Sequence, residues 1–375
     1  PVPLNARRGA HESAISPSMT TTQTPHASVD AALADLKRGR EAWRSTPITD
    51  RIRLLERLSV DTLAAAQGMG WASCQGKGLE PDSTAAAEEW LGGPAVVLRH
   101  IRLLRETLEQ LERTGAPTIS ARDLREHRGT AVARVFPDGL RDRLMLGGFQ
   151  ADVWMEEGVG VEETLATTAR AYLAPQEIGE GICAVLGAGN VSGIGLQDAL
   201  TKIFQENRVC ALKLNPVNEY LEPSYRAAFA GLIEADVLRV LRGDAELGRA
   251  LVGHPDVTEV HITGSTAVHD AIVWGPPDVR ESNRAAGTPV LDKPITSELG
   301  CVTPILVVPG NWSHKQLRLQ AWNIASMVTN NASFNCNAAK VLVTAAGWPQ
   351  REAFLAELRG ALERAPSRRP YYPGS

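Results

Sequence analysis

The sequence predicts an α/β protein whose main sheet is parallel. From Gly181 onward, short apolar segments alternate with amphipathic segments of helical spacing, and this alternation is typical of a parallel sheet covered by helices on both faces. After a polar stretch at about residues 278–293, a second strand–helix–strand–helix pattern begins, so we place a domain boundary near Pro294. Parallel sheets of this kind bind ligands at the carboxyl ends of their strands, and the polar motifs of this chain fall there.

The composition is that of an ordinary globular protein, with 43% hydrophobic and 22% charged residues and a formal net charge of −4. No run of Lys and Arg is dense enough for nucleic-acid binding. The longest apolar runs are too short to cross a bilayer and no secretory segment opens the chain, so we expect a cytoplasmic protein without membrane contact. Five widely spaced cysteines, without CxxC pairs or His at zinc-ligand spacing, indicate free thiols and no metal site.

The amino-terminal part is predicted to be helical after a disordered tail. Residues 1–28 are rich in Pro, Ser and Thr and show no periodicity, which is typical of disorder. From Val29 apolar residues recur at helical spacing, and a second helical block runs from about Ser83 to Leu111. We attribute its apolar stripe to core packing. Residues 113–160 mix apolar and Gly-rich segments and are compatible with strands or a protruding hairpin.

The α/β part is predicted to contain six strands with helices between them. Before the boundary the strands are expected in GICAVLGAGN, VCALKLNP, VLRVLRG and VTEVHITGS. After it they are expected in CVTPILVVPG and KVLVTA, each followed by an amphipathic segment with helical spacing.

The first strand ends in a glycine cluster followed by Asn190. The glycines of Gly187-Ala188-Gly189-Asn190 allow a ligand to approach the backbone closely, and the amide of Asn190 is suited to stabilise an oxygen that gains negative charge. A tight strand-to-helix turn accounts for the same letters. The cluster is not a GxGxxG motif followed by an acid at the usual distance, so the ordinary Rossmann fingerprint is not met.

Polar residues also follow the next strands. Lys213 ends the second strand, where its ammonium group can bind a ribose hydroxyl or a phosphate, although lysines often extend from strand ends to solvent without a ligand. We expect Glu219 near the same ligand. Thr263-Gly264-Ser265-Thr266 ends a later strand and precedes a predicted helix, which favours an anion such as a pyrophosphate. An ordinary Ser cap explains that motif equally well.

Cys336 lies in NNASFNCNAAK, among small and amide residues, and Glu298 lies upstream in SELG. A thiol needs a base before it attacks a carbonyl carbon, and a carboxylate can act as that base or activate water later. An isolated cysteine is also among the most buried residue types, so an inert core position is the alternative for Cys336 alone.

Taken in order, these motifs resemble the aldehyde dehydrogenase superfamily. The matching words are GAGNVSGIG, LKLNP, GDAELGRALVGHPDVTEVHITGS, ELG and FNCNAAKVLV. The resemblance runs from about residue 30 to the end and is densest over 181–345. It implies a Rossmann-like, parallel-sheet dinucleotide-binding domain with amino-terminal helices over 29–293, followed by an α/β catalytic domain over 294–375.

The resemblance also implies a reaction. Cys336 would attack an aldehyde to form a thiohemiacetal, while Asn190 and the backbone N–H of Cys336 hold the oxyanion. Loss of hydride to NAD or NADP would leave a thioester, and Glu298 would activate the water that hydrolyses it to the carboxylic acid. Lys213 would contact the adenosine ribose, and Gly264 and Ser265 the pyrophosphate. The further cofactor contacts that the resemblance implies are Gly243, Leu299 and Glu219.

The chain departs from the family pattern at a few positions. Cys301 follows ELG where the family usually has glycine, Asn335 precedes the nucleophile where many members have Gln, and His269 lies where a glycine is common. Family members continue well beyond YYPGS, so we expect the catalytic domain to be incomplete and a homo-oligomer to form only with the full-length chain. The alternatives are an acylating, coenzyme A-dependent or reductive relative, and a dinucleotide-binding protein without activity.

Overall fold

A computed structural model describes residues 25–117, 119–137, 139–178 and 180–373. The amino-terminal part is helical, as predicted, with α1 Pro25–Ser45, α2 Ile48–Gly76, α3 Ala87–Trp90 and α4 Val96–Thr114. Helix α1 begins earlier than the expected Val29, so residues 25–28 are helical and not part of a disordered tail; residues 1–24 lie outside the described residues. The predicted stripe consists of Leu103, Leu104, Leu108 and Leu111; the last three are buried, as core packing requires, whereas Leu103 is half-buried.

The segment after α4 forms a small antiparallel sheet. Its elements are β1 Leu124–His127, β2 Thr130–Phe136, α5 Leu140–Met145 and β3 Ala151–Trp154, and the strand order is β1-β2-β3. Arg128 and Gly129 both have positive φ (52° and 79°), which suits the tight turn of a β1–β2 hairpin. Residues 113–160, which the sequence left open between strands and a protruding hairpin, therefore contain three antiparallel strands. Two short helices follow, α6 Val161–Thr167 and α7 Arg170–Leu173.

The main sheet has five parallel strands, in agreement with the predicted fold class. Its strands are β4 Ile182–Leu186, β5 Val209–Lys213, β6 Leu238–Leu241, β7 Val257–Thr263 and β8 Ile295–Glu298. The helices between them are α8 Ile194–Leu200, α9 Glu222–Ala228, α10 Ala230–Glu234, α11 Ala245–Gly253, α12 Thr266–Trp274 and α13 Pro277–Ala286. The strand order is β6-β5-β4-β7-β8, and every pair is parallel.

The strand order determines where a ligand-binding crevice forms. The chain builds outward from β4 in one direction through β5 and β6, and then in the other through β7 and β8. A crevice forms where the direction reverses, at the carboxyl ends of the central strands. Strand β5 is buried throughout and β4 nearly so, as expected for central strands with helices on both faces.

A second, smaller unit follows. It consists of β9 Pro304–Val307, α14 His314–Thr329, β10 Val341–Thr344 and α15 Arg351–Glu363, and β9 and β10 pair in parallel. Its core is separate from that of the main sheet and is built around Leu317, Phe354 and Leu358. Strand β8 begins directly after Pro294, where we placed the boundary, but it pairs with β7. The chain therefore crosses to the second unit between Glu298 and Pro304.

The polypeptide has free cysteines in two environments: Cys74, Cys183 and Cys210 are buried, whereas Cys301 and Cys336 are exposed. Among the described helices none combines the length and apolar character needed to span a bilayer. Over all the residues that the structure describes, no group of three or more His, Cys, Asp or Glu side chains is placed to hold a metal ion.

Candidate active site

An open cleft of about 1320 Å³ lies at the carboxyl ends of β4, β5, β7 and β8. It brings together most of the residues that the sequence singled out, although they come from distant parts of the chain. Those that line it are Asn190, Lys213, Gly264, Ser265, Glu298, Leu299 and Cys336. One continuous surface therefore carries a thiol, a carboxylate, an amide and an ammonium group.

One half of the cleft is built from β5, β7 and the helices that follow. Lys213 ends β5, lines the cleft and is only 7% exposed, and burial lowers the pKa of its ammonium group while Glu219 and Asp244 act in the opposite direction. Asp244 caps α11, accepting hydrogen bonds from the backbone N–H groups of Glu246 (2.8 Å) and Leu247 (3.3 Å). This half is therefore a partly apolar surface with one buried cation.

The TGST motif has structural roles as well as a place in the cleft. Ser265 is the N-cap of α12, and its hydroxyl accepts a hydrogen bond from the backbone N–H of Val268 at 3.3 Å. The backbone N–H of Gly264 donates to the carbonyl of Glu298 at 3.0 Å. The ordinary cap considered from the sequence is thus present, and it directs the amino end of α12 at the cleft, where an anion is stabilised by the helix dipole.

Glu219 and Gly243 interact with each other instead of lining the cleft. A carboxylate oxygen of Glu219 accepts a hydrogen bond from the backbone N–H of Gly243 at 2.9 Å, and Arg242 lies 3.5 Å from the same carboxylate. Gly243 has φ of +151°, which disfavours other residues in this turn. The pair holds the turn between β6 and α11, and a direct role of either residue in cofactor binding stays a prediction.

The other half of the cleft carries Cys336, Glu298 and Asn190. Cys336 is exposed, and its sulfur lies 3.7 Å from the side-chain oxygen of Asn335. Glu298 is also exposed, at the end of β8. The side-chain amide of Asn190 donates to the carbonyl of Phe334 at 2.9 Å. The predicted oxyanion donor is therefore bonded to the same loop that carries the predicted nucleophile.

That loop has an unusual backbone. Asn331, Ala332 and Ser333 are consecutive non-glycine residues with positive φ, at 52°, 53° and 67°. Such conformations cost energy and persist only where the surroundings hold them. The ammonium group of Lys340 contributes by donating to the carbonyl of Ser333 at 2.8 Å and to that of Ala338 at 3.0 Å.

A buried polar network, which sequence reasoning missed, supports the loop at Asn331. Lys77, at the end of α2, forms an ion pair with Glu89 at 2.8 Å, and both side chains are 2% exposed. The ammonium group also donates to the backbone carbonyl of Asn190 (2.9 Å) and to the side-chain oxygen of Asn331 (3.1 Å). The hydroxyl of Tyr371 donates to these same two oxygens. Burial lowers the pKa of Lys77, and Glu89 opposes this shift.

Glu88 adds a second anchor next to the first. Its carboxylate accepts hydrogen bonds from the backbone N–H of Asn331 and the side chain of Asn330, both at 3.1 Å, and pairs with Arg368 at 2.9 Å. The partners lie hundreds of positions apart in the chain, so no local pattern links them. The sequence offers one signal, the adjacent acids Glu88 and Glu89, and such a pair in a helical segment more often lies on a face exposed to solvent.

An aromatic cluster borders the same half of the cleft. Phe334 lies 4.9 Å from Tyr371 and 5.2 Å from Tyr372, measured between ring centroids. Phe334 and Tyr372 both line the cleft. Burial raises the pKa of both tyrosines, so their hydroxyls are neutral hydrogen-bonding groups at physiological pH. No motif in the sequence pointed to a role for these three rings.

Solved structures show which known fold this is. No model of a known protein family matches the sequence. The chain is similar to an aldehyde dehydrogenase C from Pseudomonas syringae in complex with NAD+ and octanal, with 16% identity and a TM-score of 0.56 over 90% of this chain and 54% of that one. The chain therefore shares the aldehyde dehydrogenase fold.

Other aldehyde dehydrogenases match to the same extent. KauB from Pseudomonas aeruginosa has 15% identity and a TM-score of 0.58, covering 90% of this chain and 55% of that one. An NADP-dependent glyceraldehyde-3-phosphate dehydrogenase from Bacillus halodurans in complex with NADP has 14% identity and a TM-score of 0.55, covering 90% and 57%. This chain thus spans about half the length of the structures it matches. The resemblance expected from the motifs is confirmed at the level of the fold.

Proposed function

We propose that this chain is an NAD(P)-dependent aldehyde dehydrogenase that oxidises an aldehyde to a carboxylic acid through a thioester on Cys336. The observation that carries the proposal is that Cys336, Glu298, Asn190, Lys213 and the amino end of α12 all line one cleft. A thiol, a carboxylate and an amide donor are the groups that this chemistry needs. The similar structures include complexes with NAD+ and octanal and with NADP, which supports the same assignment.

The cleft residues Lys213 and Ser265 fit a dinucleotide. The cleft lies at the strand ends where such ligands bind in open α/β sheets, and its volume of about 1320 Å³ is ample for one. Lys213 would hold a ribose hydroxyl or phosphate, and Ser265 at the start of α12 would lie against the pyrophosphate. The bound nicotinamide supplies the hydride acceptor. The ammonium group of Lys213 does not discriminate between NAD and NADP.

Cys336 supplies the nucleophile and Asn190 stabilises the charge that develops. The exposed thiol of Cys336 first gives up its proton to a base, and the resulting thiolate attacks the aldehyde carbon, so that the negative charge moves to the former carbonyl oxygen. Asn190 then shares its amide between that oxygen and the carbonyl of Phe334. Losing one donor of this kind typically lowers kcat by about 100- to 1000-fold. The strained loop at 331–333 is held by the network at Lys77 and leads into the segment that carries Cys336, whose Phe334 carbonyl binds Asn190.

Glu298 completes the cycle by activating water. Its carboxylate lines the cleft together with Cys336 and is exposed, so water reaches both. A water molecule deprotonated by Glu298 attacks the thioester carbon, which releases the carboxylic acid and regenerates the thiol. A coenzyme A-dependent relative would not need this base, and its presence therefore favours hydrolysis.

The test is formation of reduced nicotinamide from a panel of aliphatic and aromatic aldehydes with NAD and with NADP. We expect turnover by the full chain and none by Cys336→Ala. Glu298→Gln should release about one equivalent of reduced nicotinamide per chain and then stop, because acylation proceeds while hydrolysis slows by about 100-fold or more. Cys301→Ser is the matched control, since it removes the other exposed thiol and should leave turnover in place.

Two outcomes would contradict the proposal. A folded chain that binds NAD or NADP without turnover would indicate a dinucleotide-binding protein without activity. Release of an acyl-coenzyme A product, with no acid formed when coenzyme A is omitted, would indicate the acylating relative. Product analysis by mass spectrometry separates these outcomes.

A further inference from the structure

We propose that Cys301 is a thiol modification site that forms a reversible disulfide with Cys336 when the protein meets hydrogen peroxide. Cys301 follows the ELG motif, lies outside the set of residues used by the proposed reaction and is exposed. The inference concerns the chemistry of the two thiols and is tested without measuring turnover.

A shared hydroxyl brings the two cysteines together. The sulfur of Cys301 accepts hydrogen bonds from the backbone N–H of Thr303 at 3.3 Å and from its hydroxyl at 3.2 Å. The same hydroxyl lies 3.4 Å from the backbone carbonyl of Cys336. The Thr303 side chain thus contacts the sulfur of Cys301 and the backbone carbonyl of Cys336, although the two cysteines lie in different loops.

The fold keeps these loops adjacent. Strands β9 and β10 pair in parallel with Pro304 opposite Val341, so the segments leading into them run side by side. The backbone N–H of Lys340 donates to the carbonyl of Val302 at 3.0 Å, which extends this pairing toward the two cysteines. A side chain at Gly300 would meet no atom within 4 Å, so the segment just before Cys301 borders open space.

Both thiols have the exposure that oxidation requires. Cys74, Cys183 and Cys210 are buried, whereas Cys301 and Cys336 face solvent. The hydrogen bonds from the hydroxyl and then the backbone of Thr303 hold the pKa of the Cys301 thiol below its usual range. A thiolate is the form that reacts with peroxides and with oxidised sulfur.

The reaction is balanced with one peroxide as the two-electron acceptor. The Cys336 thiolate attacks one peroxide oxygen, which gives a sulfenic acid and hydroxide. The Cys301 thiolate then attacks the sulfenic sulfur, forming the S–S bond and expelling a second hydroxide. In sum, two thiols and one hydrogen peroxide give one disulfide and two waters, and a small dithiol reverses the product to the two thiols. The disulfide would keep Cys336 from irreversible oxidation to the sulfinic acid.

The experiment treats the full chain with hydrogen peroxide, alkylates the remaining thiols and maps them by mass spectrometry without reduction. We expect a peptide linking Cys301 to Cys336, a chain mass lower by about 2 Da, and full reversal by dithiothreitol. Cys183 and Cys210 serve as internal controls, since buried thiols should be alkylated only after denaturation.

Two variants make the test specific. In Cys301→Ser no linked peptide forms, and Cys336 should gain about 32 Da as a sulfinic acid that dithiothreitol does not reverse. Thr303→Val keeps the side-chain shape but removes the shared hydroxyl, and it should slow formation of the linked peptide by about tenfold. The proposal is overturned if wild-type Cys336 reaches the sulfinic acid as fast as in Cys301→Ser, or if Cys336 links only to another molecule. Neither result would bear on whether the protein oxidises aldehydes.

Discussion

At the scale of single residues, Asn190 connects the parts of the candidate site. Its side-chain amide donates to Phe334 in the loop that carries Cys336. Its backbone carbonyl accepts hydrogen bonds from Lys77, Asn331 and Tyr371. Asn190 therefore has two roles. Its side-chain amide presents a donor to the cleft, and its backbone carbonyl holds the residue in place through contacts that do not depend on the side chain.

Gly189, the residue before Asn190, makes a prediction about close packing. A Cβ atom at this position would lie 2.3 Å from the hydroxyl of Tyr372 and 2.7 Å from the side-chain carbon Cγ of Asn215. Gly189→Ala should therefore displace Tyr372 and lower the free energy of unfolding by about 1–3 kcal/mol, measured by urea denaturation.

Gly187→Ala is the matched control in the same turn. Its Cβ would meet the nearest atoms of Leu212 and Lys213 at 3.4 Å, which is ordinary contact. Its effect on unfolding should be smaller than that of Gly189→Ala. Equal losses in the two variants would show that the turn itself, and not the contact with Tyr372, requires glycine at position 189.

The sequence identifies residues at strand ends more readily than it identifies their contacts. Lys213, Ser265 and Cys336 could be singled out because each follows an apolar run or lies in a short polar loop, and the topology of a parallel sheet brings such positions to one edge. Glu219 satisfies the same criterion, but its carboxylate binds the backbone of Gly243. The direction of a side chain depends on the geometry of the turn around it, and that geometry cannot be inferred from residue spacing.

At the scale of elements, the end of α2 and the short helix α3 hold the loop that carries Cys336. The contact consists of a buried ion pair, Lys77–Glu89, whose cation also binds Asn190 and Asn331. Removing one member of such a pair leaves an uncompensated buried charge. Lys77→Met should therefore lower the free energy of unfolding by about 3 kcal/mol, and it should also change the rate at which iodoacetamide alkylates Cys336.

A double variant separates stability from positioning. Lys77→Met combined with Glu89→Gln removes both charges, so part of the lost stability should return. The hydrogen bonds to Asn190 and Asn331 are not restored, and the altered alkylation rate of Cys336 should persist. If the double variant recovered the wild-type alkylation rate as well, the network would have a purely structural role.

The same elements show the limit of sequence reasoning. Periodicity predicts the long helices and the apolar strands, because burial of one face dictates which positions are apolar. It does not predict that Lys77 and Glu89 lie inside, since charged residues in an amphipathic segment usually face solvent. Their ion pair is buried together with contacts from Lys77 to Asn190 and Asn331, which only the tertiary structure brings near.

At the scale of the whole molecule, a second buried charge cluster joins elements of the main sheet. Glu259 on β7 binds Lys202 at 2.9 Å and Arg208 at 2.7 Å, and the side chains of these residues are at most 17% exposed. Lys202 follows α8 and Arg208 precedes β5, so the cluster links two strands and a helix. Burial alone would raise the pKa of Glu259, but the hydrogen bonds from Arg208 and Lys202 outweigh it and hold the pKa below its ordinary value of 4.5.

The sign of the resulting pH dependence follows from this lowered pKa. A carboxylate whose pKa is lower in the folded state stabilises the fold at pH values above its unfolded pKa, and the stabilisation is lost as the pH falls through the folded pKa.

At pH 7 Glu259→Gln should therefore lower the free energy of unfolding by about 3 kcal/mol. The difference between wild type and variant should stay constant down to about pH 5 and shrink as the pH falls further, because the unfolded carboxyl is protonated first and the folded one only at a lower pH. Urea denaturation at several pH values measures this difference, with Glu363→Gln, at an exposed position of α15, as the control that should show no comparable change. A wild-type-to-Glu259→Gln difference that did not depend on pH would mean that the side chain stabilises the sheet through packing, because only the ionised carboxylate carries the charge that Lys202 and Arg208 bind.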